Sequence, residues 1–201
     1  MNDQDFRVIQ RILAGEKRAY AQLVDRHKER AMALAVRMLK NHQDAEEALQ
    51  DAFVRAFNAL PRFEWKSSFS TWFYRIVYNV CATELSKKGE PQHTSLDADE
   101  AHEGLQISSE TELPDVEFES NEFRGIVLEE IDKLPQSYAS MLTLFFVQEM
   151  SYEEIVETSE LPLGTVKNRL FRGRTMLKDA VLRRMRVVAM KNEGSLKEKV
   201  A

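Results

Sequence analysis

A basic segment near the C-terminus has residue types and spacing suited to binding duplex DNA. Residues 163–187 contain eight Lys or Arg and one acidic residue, whereas residues 122–162 contain two basic and nine acidic residues. On a helix of 3.6 residues per turn, Val166, Leu170 and Leu177 would share one face and the polar side chains the other. Arg and Asn can bind base edges in the major groove, while flanking cations hold phosphates. The side chains predicted to contact DNA are Lys167, Asn168, Arg169, Phe171, Arg172 and Arg174.

The residues before this segment predict the rest of a helix-turn-helix. Ser151-Tyr152-Glu153-Glu154 has the form of a capping box, which predicts a short helix that ends near Ser159. Pro162 suits the first turn of the next helix, where its missing N–H costs nothing. A short capped helix, a tight turn and a cationic helix form the helix-turn-helix pattern. The alternative is an ordinary helix with a solvated basic face. The capped partner helix, the turn length and Gly173 on the apolar face all count against it.

A second segment, residues 61–79, interleaves aromatic rings with cations and hydroxyls. Aromatic faces stack on unpaired bases and neighbouring cations hold phosphates, which is how proteins bind single-stranded nucleic acid. The alternative is that the rings only fill a core, and this is the expected role of three or four of Phe63, Phe69, Trp72 and Phe73. The binding hypothesis therefore depends on the polar members of the loop and on Tyr74, Arg75 and Asn79.

A third segment, residues 44–51, places acidic groups along one side of a helix that is otherwise striped with apolar residues. The alternative here is a solvated helix face, and periodicity alone does not make this segment an interface. The carboxylates of Asp44, Glu47 and Asp51 could in principle hold a metal ion. No histidine or second acidic cluster completes such a site, so a metal-dependent nuclease is disfavoured.

The composition predicts that these segments lie on an all-α fold. The chain has 201 residues, a net charge of −5, and only 7 glycines and 5 prolines, which favours long helices with few connections. Residues 91–121 carry nine acidic and no basic side chains and lack helical periodicity, which predicts a flexible linker. We expect two small helical domains, at 1–90 and 122–190. The second contains the helix-turn-helix, and residues 191–201 form a frayed tail.

Several classes of protein are disfavoured. One cysteine, Cys81, excludes an internal disulfide framework, and four scattered histidines make no ligand spacing. Cys81 could sense redox state, but its apolar neighbours favour a buried structural thiol. No apolar run approaches the ~18 residues of a membrane span, and the acidic, polar N-terminus does not resemble a secretory signal. We therefore expect a cytoplasmic protein without a metal or cofactor.

Taken in order, these segments resemble an extracytoplasmic-function sigma factor of bacterial RNA polymerase. DAEEALQDAFVRAFNAL resembles the helix of that family that binds core polymerase, and FEWKSSFSTWFYRIVYNV resembles its promoter-melting segment. LPQSYASMLTLFFVQEMSYEEI followed by LPLGTVKNRLFRGRTMLK resembles its fourth conserved region. The resemblance implies a promoter-specificity factor in a stress response, not an enzyme. Many members of the family have glycine at the position of Trp65.

The resemblance also implies a role for each segment. The third segment would bind the coiled-coil clamp of the largest polymerase subunit, and the second would bind and separate the strands of the −10 element. The basic helix would bind the −35 element as duplex, and an anti-sigma protein would hold the chain inactive. The implied clamp contacts are Asp44, Glu47, Gln50 and Asp51, and the implied −10 contacts are Trp65, Lys66, Ser67, Ser68, Phe69, Ser70, Tyr74, Arg75 and Asn79.

An ordinary helix-turn-helix repressor or activator remains the main alternative. Such a protein would bind duplex DNA without polymerase, as a dimer on a palindromic site. The aromatic loop and the acidic helix would then be structural only.

Overall fold

A computed structural model describes the backbone of residues 3–89 and 121–198 and the side chains of residues 4–89 and 123–186. No β-strand occurs in the described residues, so the predicted all-α, two-domain fold is confirmed. The predicted linker lies outside the described residues, except for Asn121. The first domain contains α1 (Asp3–Leu13), α2 (Tyr20–Leu39), α3 (His42–Ala59) and α4 (Phe69–Lys87), and the second contains α5 (Asn121–Lys133), α6 (Gln136–Leu142), α7 (Tyr152–Ser159) and α8 (Leu163–Glu198).

The junction between α2 and α3 is set by two adjacent residues with different roles. Lys40 ends α2 in the left-handed conformation (φ 53°), and its N–H donates to the Val36 carbonyl. Asn41 is extended, and its side chain accepts hydrogen bonds from the N–H groups of Gln43 and Asp44. Asn41 is therefore the N-cap of α3.

Helix α4 begins at Phe69, which lies between two serines that could each cap it, Ser68 and Ser70. Ser68 has an extended backbone, and its Oγ accepts the Thr71 N–H at 3.0 Å. The Ser70 hydroxyl lies 2.8 Å from the same oxygen. Two serines spaced by two residues offer equivalent side chains, and the backbone conformation decides that Ser68 is the cap.

Apolar side chains from α2, α3 and α4 form the core of the first domain. Leu23, Leu34, Phe73 and Val77 are completely buried there. The Phe73 ring stacks on Phe53 with the ring centroids 4.6 Å apart. This aromatic layer supports the segment that joins α3 to α4.

The second domain is built around α6 and α8. Leu142, Ile155, Val166 and Leu170 are buried, which confirms the predicted apolar face of the basic helix. A Cβ atom at Gly173 would lie 3.3 Å from atoms of Leu142 and Tyr138, so the helices approach closely at this glycine.

Helix α6 ends irregularly. It follows Pro135, is α-helical only to Leu142 and continues as a π-helical turn over Thr143–Val147. There the Gln148 N–H donates to the Thr143 carbonyl at 3.0 Å, and the next residue, Glu149, is left-handed (φ 58°). Helix α8 continues to Glu198. It therefore includes most of residues 191–201, which were expected to form a frayed tail.

The second domain packs directly against the first. Helix α6 lies on α2, and α7 lies on α4. Among the described residues, no helix is long and apolar enough to cross a membrane, and no group of three or more His, Cys, Asp or Glu side chains could hold a metal ion.

Candidate polymerase and nucleic-acid interfaces

The four predicted clamp contacts lie on one side of α3, which we call the acidic face (Asp44, Glu47, Gln50 and Asp51). Glu47 and Gln50 are exposed, while Asp44 and Asp51 are partly exposed. Asp44 forms an ion pair with Lys88 at the end of α4, and Asp51 forms one with Arg55 at 2.8 Å. The asparagine cap at Asn41 fixes where α3 begins and hence the direction in which these side chains project.

An apolar groove borders the acidic face. It lies between α2 and α3 and is lined by Val24, Met32, Leu49 and Phe53, with Gln50 at its edge. A partner helix placed here would meet apolar side chains in the groove, the carboxylates of Glu29 and Glu46 and the ammonium of Lys28, with the acidic face alongside. This combination suits a partner that is both amphipathic and cationic.

The aromatic loop (Trp65–Ser70) is held by the ring of Trp65. Trp65 has φ 60°, in the left-handed region that glycine adopts readily and other residues adopt at a cost. Its ring contacts Phe6 of α1 and Phe63, with centroids 4.9 and 4.7 Å away. Glycine would adopt this conformation without strain, whereas here the ring contacts stabilise it.

The remaining loop residues divide into exposed and buried side chains. Lys66 is exposed, and its Nζ lies 2.5 Å from Oε2 of Glu64. Ser67, Ser68 and Ser70 are half-buried. Phe69 is only 4% exposed and packs its ring against Phe63, Phe73 and His27. In this structure Phe69 therefore belongs to the core that supports the loop, and it does not face solvent.

The three predicted contacts on α4 beyond the aromatic loop have different environments. Asn79 is exposed. Tyr74 is 2% exposed, and burial raises the pKa of its hydroxyl to about 12. Arg75 is half-exposed and lies 3.3 Å from Glu157 and 3.4 Å from Glu160, both in the second domain. Only Asn79 is thus presented to solvent without an interdomain contact.

The outward side of α8 carries four of the six residues predicted to contact duplex DNA, and we call it the recognition face (Lys167, Asn168, Phe171 and Arg172). Phe171 is 45% exposed, Lys167 is exposed, and Asn168 and Arg172 are half-exposed. A large exposed ring among polar and cationic groups is uncommon on a solvated helix, and it is suited to a thymine methyl group.

The other two residues point elsewhere. Arg169 is 2% exposed, and its charge acts on Tyr78 of α4, where it opposes the rise in pKa that burial causes. Arg174 stacks its guanidinium on Phe145, 4.3 Å from the ring centroid, and donates to the Tyr152 hydroxyl at 3.1 Å. These two contacts hold α8 against the π-helical turn and α7. A cation–π contact is stronger when it is shielded from water.

Sequence reasoning missed a polar interface between the two domains. The Glu154 carboxylate accepts the Ser151 N–H at 2.9 Å, which completes the capping box, and also accepts the Thr71 hydroxyl at 2.8 Å. Arg37 of α2 pairs with Asp132 at 2.8 Å, and Lys40 donates to the Asp132 carbonyl at 2.8 Å. These partners are more than 80 residues apart in the chain, so no local pattern could reveal them.

Comparisons with known proteins fit this division into two functional domains. Residues 23–90 match the family model described as Sigma-70 region 2, and residues 124–177 match Sigma-70, region 4. The chain is 37% identical over 175 residues to the ECF RNA polymerase sigma factor SigW of Bacillus subtilis, covering 85% of this chain and 92% of that one. It is 32% identical over 182 residues to the RNA polymerase sigma-H factor of Pseudomonas aeruginosa, covering 89% and 94%.

A solved structure shows the same fold. The sigma factor RpoE of Bartonella quintana, crystallised with the anti-sigma factor NepR, matches with a TM-score of 0.56 at 21% identity, over 81% of this chain and 96% of that one.

Proposed function

The chain belongs to the extracytoplasmic-function sigma factors of bacterial RNA polymerase, and from this premise we propose how its surfaces divide promoter recognition. Sigma factors bind core polymerase and promoter DNA and direct transcription initiation; they are initiation factors, not enzymes. In this proposal the acidic face of α3 binds the clamp helices of the largest polymerase subunit. The aromatic loop binds the −10 element, and the recognition face of α8 binds the −35 element.

The main support for the proposal comes from the recognition face of α8. Its side chains project outward, while Val166 and Leu170 on the opposite side of α8 are buried. Arg172 and Asn168 can bind base edges in the major groove, and Lys167 can hold a phosphate. Arg174 positions the helix and does not face the DNA.

Binding to the −10 element would use single-stranded DNA. Unstacking a base costs a few kcal/mol, and stacking it on a protein ring returns about 1–3 kcal/mol. Trp65 is the partly exposed ring of the loop, with Lys66 and the three serines beside it. We assign base capture to this group and to Asn79, and we assign support of the loop from beneath to the buried Phe69 and Tyr74.

Control of the chain by an anti-sigma protein forms part of the proposal. The Bartonella quintana RpoE structure, in which a sigma factor of this fold is bound by an anti-sigma factor, supports it. The chain would act in the cytoplasm, where bacterial polymerase transcribes the genome.

Transcription of fragmented genomic DNA tests the function directly. Core polymerase free of sigma factors is incubated with and without the protein, and new 5′ ends are mapped. We expect new start sites that share two spaced sequence motifs. If the folded protein, free of inhibitor, adds no start sites, the proposed function is wrong, and the bare protein is then tested for duplex binding as a repressor would require.

Matched variants assign the two DNA contacts. Arg172→Ala should weaken initiation about 5- to 150-fold through the upstream motif, since a good bidentate base contact is worth about 1–3 kcal/mol. Asn79→Ala should reduce open-complex formation through the proximal motif while leaving duplex binding unchanged. Lys178→Ala is the control, because Lys178 is an exposed cation on α8 outside the recognition face.

A further inference from the structure

Two adjacent side chains of α1 connect this helix to the aromatic loop and to α2. Phe6 is partly exposed, and its ring centroid lies 4.9 Å from that of Trp65. Asp5 is 3% exposed and binds Arg26 and His27 of α2, with 3.1 Å between its carboxylate and Nε2 of His27. Asp5 therefore fixes α1 on α2, and Phe6 contacts the loop from this fixed helix.

The anchor of α1 also supports the opposite end of the loop. The ring of His27, which Asp5 binds, lies 5.2 Å from the ring of Phe69, centroid to centroid. Ile9 of α1 is completely buried, so the helix is held by apolar packing as well as by the carboxylate. Trp65 at the start of the loop and Phe69 at its end thus both receive contacts that α1 makes or fixes.

Trp65 depends on such contacts because of its backbone conformation. At φ 60° a residue with a side chain is strained, and a strained conformation persists only where its surroundings enforce it. Phe63 supplies one ring contact, at 4.7 Å, from the segment between α3 and α4. Phe6 supplies a second from a separate helix. Loss of the Phe6 ring should therefore let part of the population leave the loop conformation described here.

We propose that Phe6 is a positioning residue for the −10 element, which holds the Trp65 ring where that ring can receive an unpaired base. The proposal rests on the proposed function, because it takes Trp65 to be the ring on which the base stacks. Phe6 acts through Trp65 and needs no contact with DNA. A loop that is competent for only part of the time binds the base more weakly by that fraction. One aromatic pair shifts such an equilibrium about 2- to 13-fold, which sets the size of the effect.

Binding of holoenzyme to forked DNA measures capture of the base. Each fork is duplex through the upstream motif recovered from the mapped start sites, and its non-template strand is unpaired over the proximal motif. A second fork carries the proximal motif in scrambled order. The ratio of the two dissociation constants measures recognition of the motif. A variant that only lowers the amount of folded chain leaves this ratio unchanged.

Substitutions of Phe6 should change this ratio according to whether they keep the ring. Phe6→Ala should reduce the preference for the motif about 2- to 13-fold. Phe6→Leu should do the same, and it keeps apolar bulk on α1 if the alanine variant fails to fold. Phe6→Tyr keeps the ring and should retain the wild-type preference. Leu13→Ala is the matched control, because Leu13 is a 45% exposed apolar residue of α1 about two turns from Phe6.

The Trp65→Gly background tests whether Phe6 acts through the Trp65 ring. Glycine adopts a φ of 60° without strain and offers Phe6 no ring to contact. Adding Phe6→Ala to Trp65→Gly should therefore change the dissociation constant for the motif fork by less than 2-fold. A structural role of Phe6 elsewhere in the domain would give the same loss of affinity in both backgrounds.

The measurements separate this inference from the proposed function. An unchanged ratio in Phe6→Ala and Phe6→Leu would overturn the positioning role, as would an equal loss of affinity with and without Trp65→Gly. Either result would leave the proposed function intact, provided that the wild-type holoenzyme prefers the motif fork. Equal binding of both forks by the wild-type holoenzyme would instead overturn the proposed −10 recognition, and the positioning role with it.

Discussion

Trp65 combines an unfavourable backbone conformation with favourable ring contacts. Its φ of 60° suits glycine, but its ring packs on Phe6 and Phe63. The two effects can be separated, because both Trp65→Ala and Trp65→Gly remove the ring while only glycine relieves the backbone.

We expect Trp65→Gly to be more stable than Trp65→Ala by about 1 kcal/mol, the usual cost of a left-handed non-glycine residue. The order is opposite to the one seen within helices, where alanine is the more stable residue. Urea unfolding of the two variants checks it. An alanine variant as stable as the glycine variant would show that the loop relaxes to another conformation. Wild type should exceed both in stability because it keeps the ring contacts.

At the residue scale, sequence reasoning succeeded where a signal is local. The Ser151 capping box is confirmed, because the cap and its partner Glu154 are three residues apart. The position of Gly173 on the buried side of α8 is confirmed. A helical wheel drawn from the local sequence is enough to place it on the apolar face. The burial of Arg169 could not be predicted, since it depends on the packing of the second domain near Tyr78 of the first.

Helix α1 supports the aromatic loop from outside the segment that matches Sigma-70 region 2. Phe6 contacts Trp65, and the adjacent Asp5 is buried against α2, where it binds Arg26 and His27. Burial by itself raises the pKa of Asp5, but the hydrogen bonds from His27 and Arg26 outweigh it and hold the pKa below its usual value. Asp5 therefore anchors α1 as a carboxylate.

The pH dependence of stability follows from this lowered pKa. A carboxyl group whose pKa is lower in the folded state stabilises the fold above its unfolded pKa of about 4, and the contribution is lost as pH falls through the folded value. Asp5→Asn should therefore cost about 1–3 kcal/mol at pH 7, the penalty for breaking a buried charged hydrogen bond. The difference from wild type should shrink below about pH 4.

Urea unfolding from pH 7 to pH 3 measures this difference. Asp25→Asn is the control, because Asp25 is exposed on α2 and pairs only with Lys28 among the described contacts. A constant gap between wild type and Asp5→Asn across this range would show that the carboxylate charge does not hold α1.

At the scale of elements, the sequence predicted which segments are helical better than it predicted their ends. Apolar residues recur at helical spacing along α2, α3 and α4, because each of these helices buries one continuous stripe. The cap of α4 fell on Ser68 because the choice between two nearby serines depends on backbone conformation. The π-helical turn after Leu142 has no local signature and accommodates the packing of Phe145 under Arg174.

At the scale of the whole molecule, residues in and at the end of α2 hold the second domain against the first through Arg30, Arg37 and Lys40. Arg37→Met keeps much of the side-chain length but removes the charge opposite Asp132. It touches neither the recognition face nor the aromatic loop. We expect it to lengthen the distance between spin labels placed on Asn58→Cys in α3 and Lys178→Cys in α8 of the free chain, and to leave initiation by saturated holoenzyme unchanged.

Lys28→Met is the matched control for this change, because Lys28 is an exposed cation of α2 that pairs within its own helix. If Arg37→Met and Lys28→Met give the same label distances, the α2 contacts do not hold the domains together. The interdomain contacts could not be foreseen from the sequence, since residues as distant as Thr71 and Glu154 meet only after both domains have formed.

The cover that α7 places on α4 has a consequence for how such a protein moves through a cell. A bacterial chromosome offers on the order of a million or more competing sites, and each exposed cation adds to the attraction toward all of them. A chain that keeps Arg75 engaged by its own glutamates contributes less to this indiscriminate adsorption. More of its copies stay in free solution, where diffusion brings them to unoccupied polymerase instead of leaving them stranded on the genome.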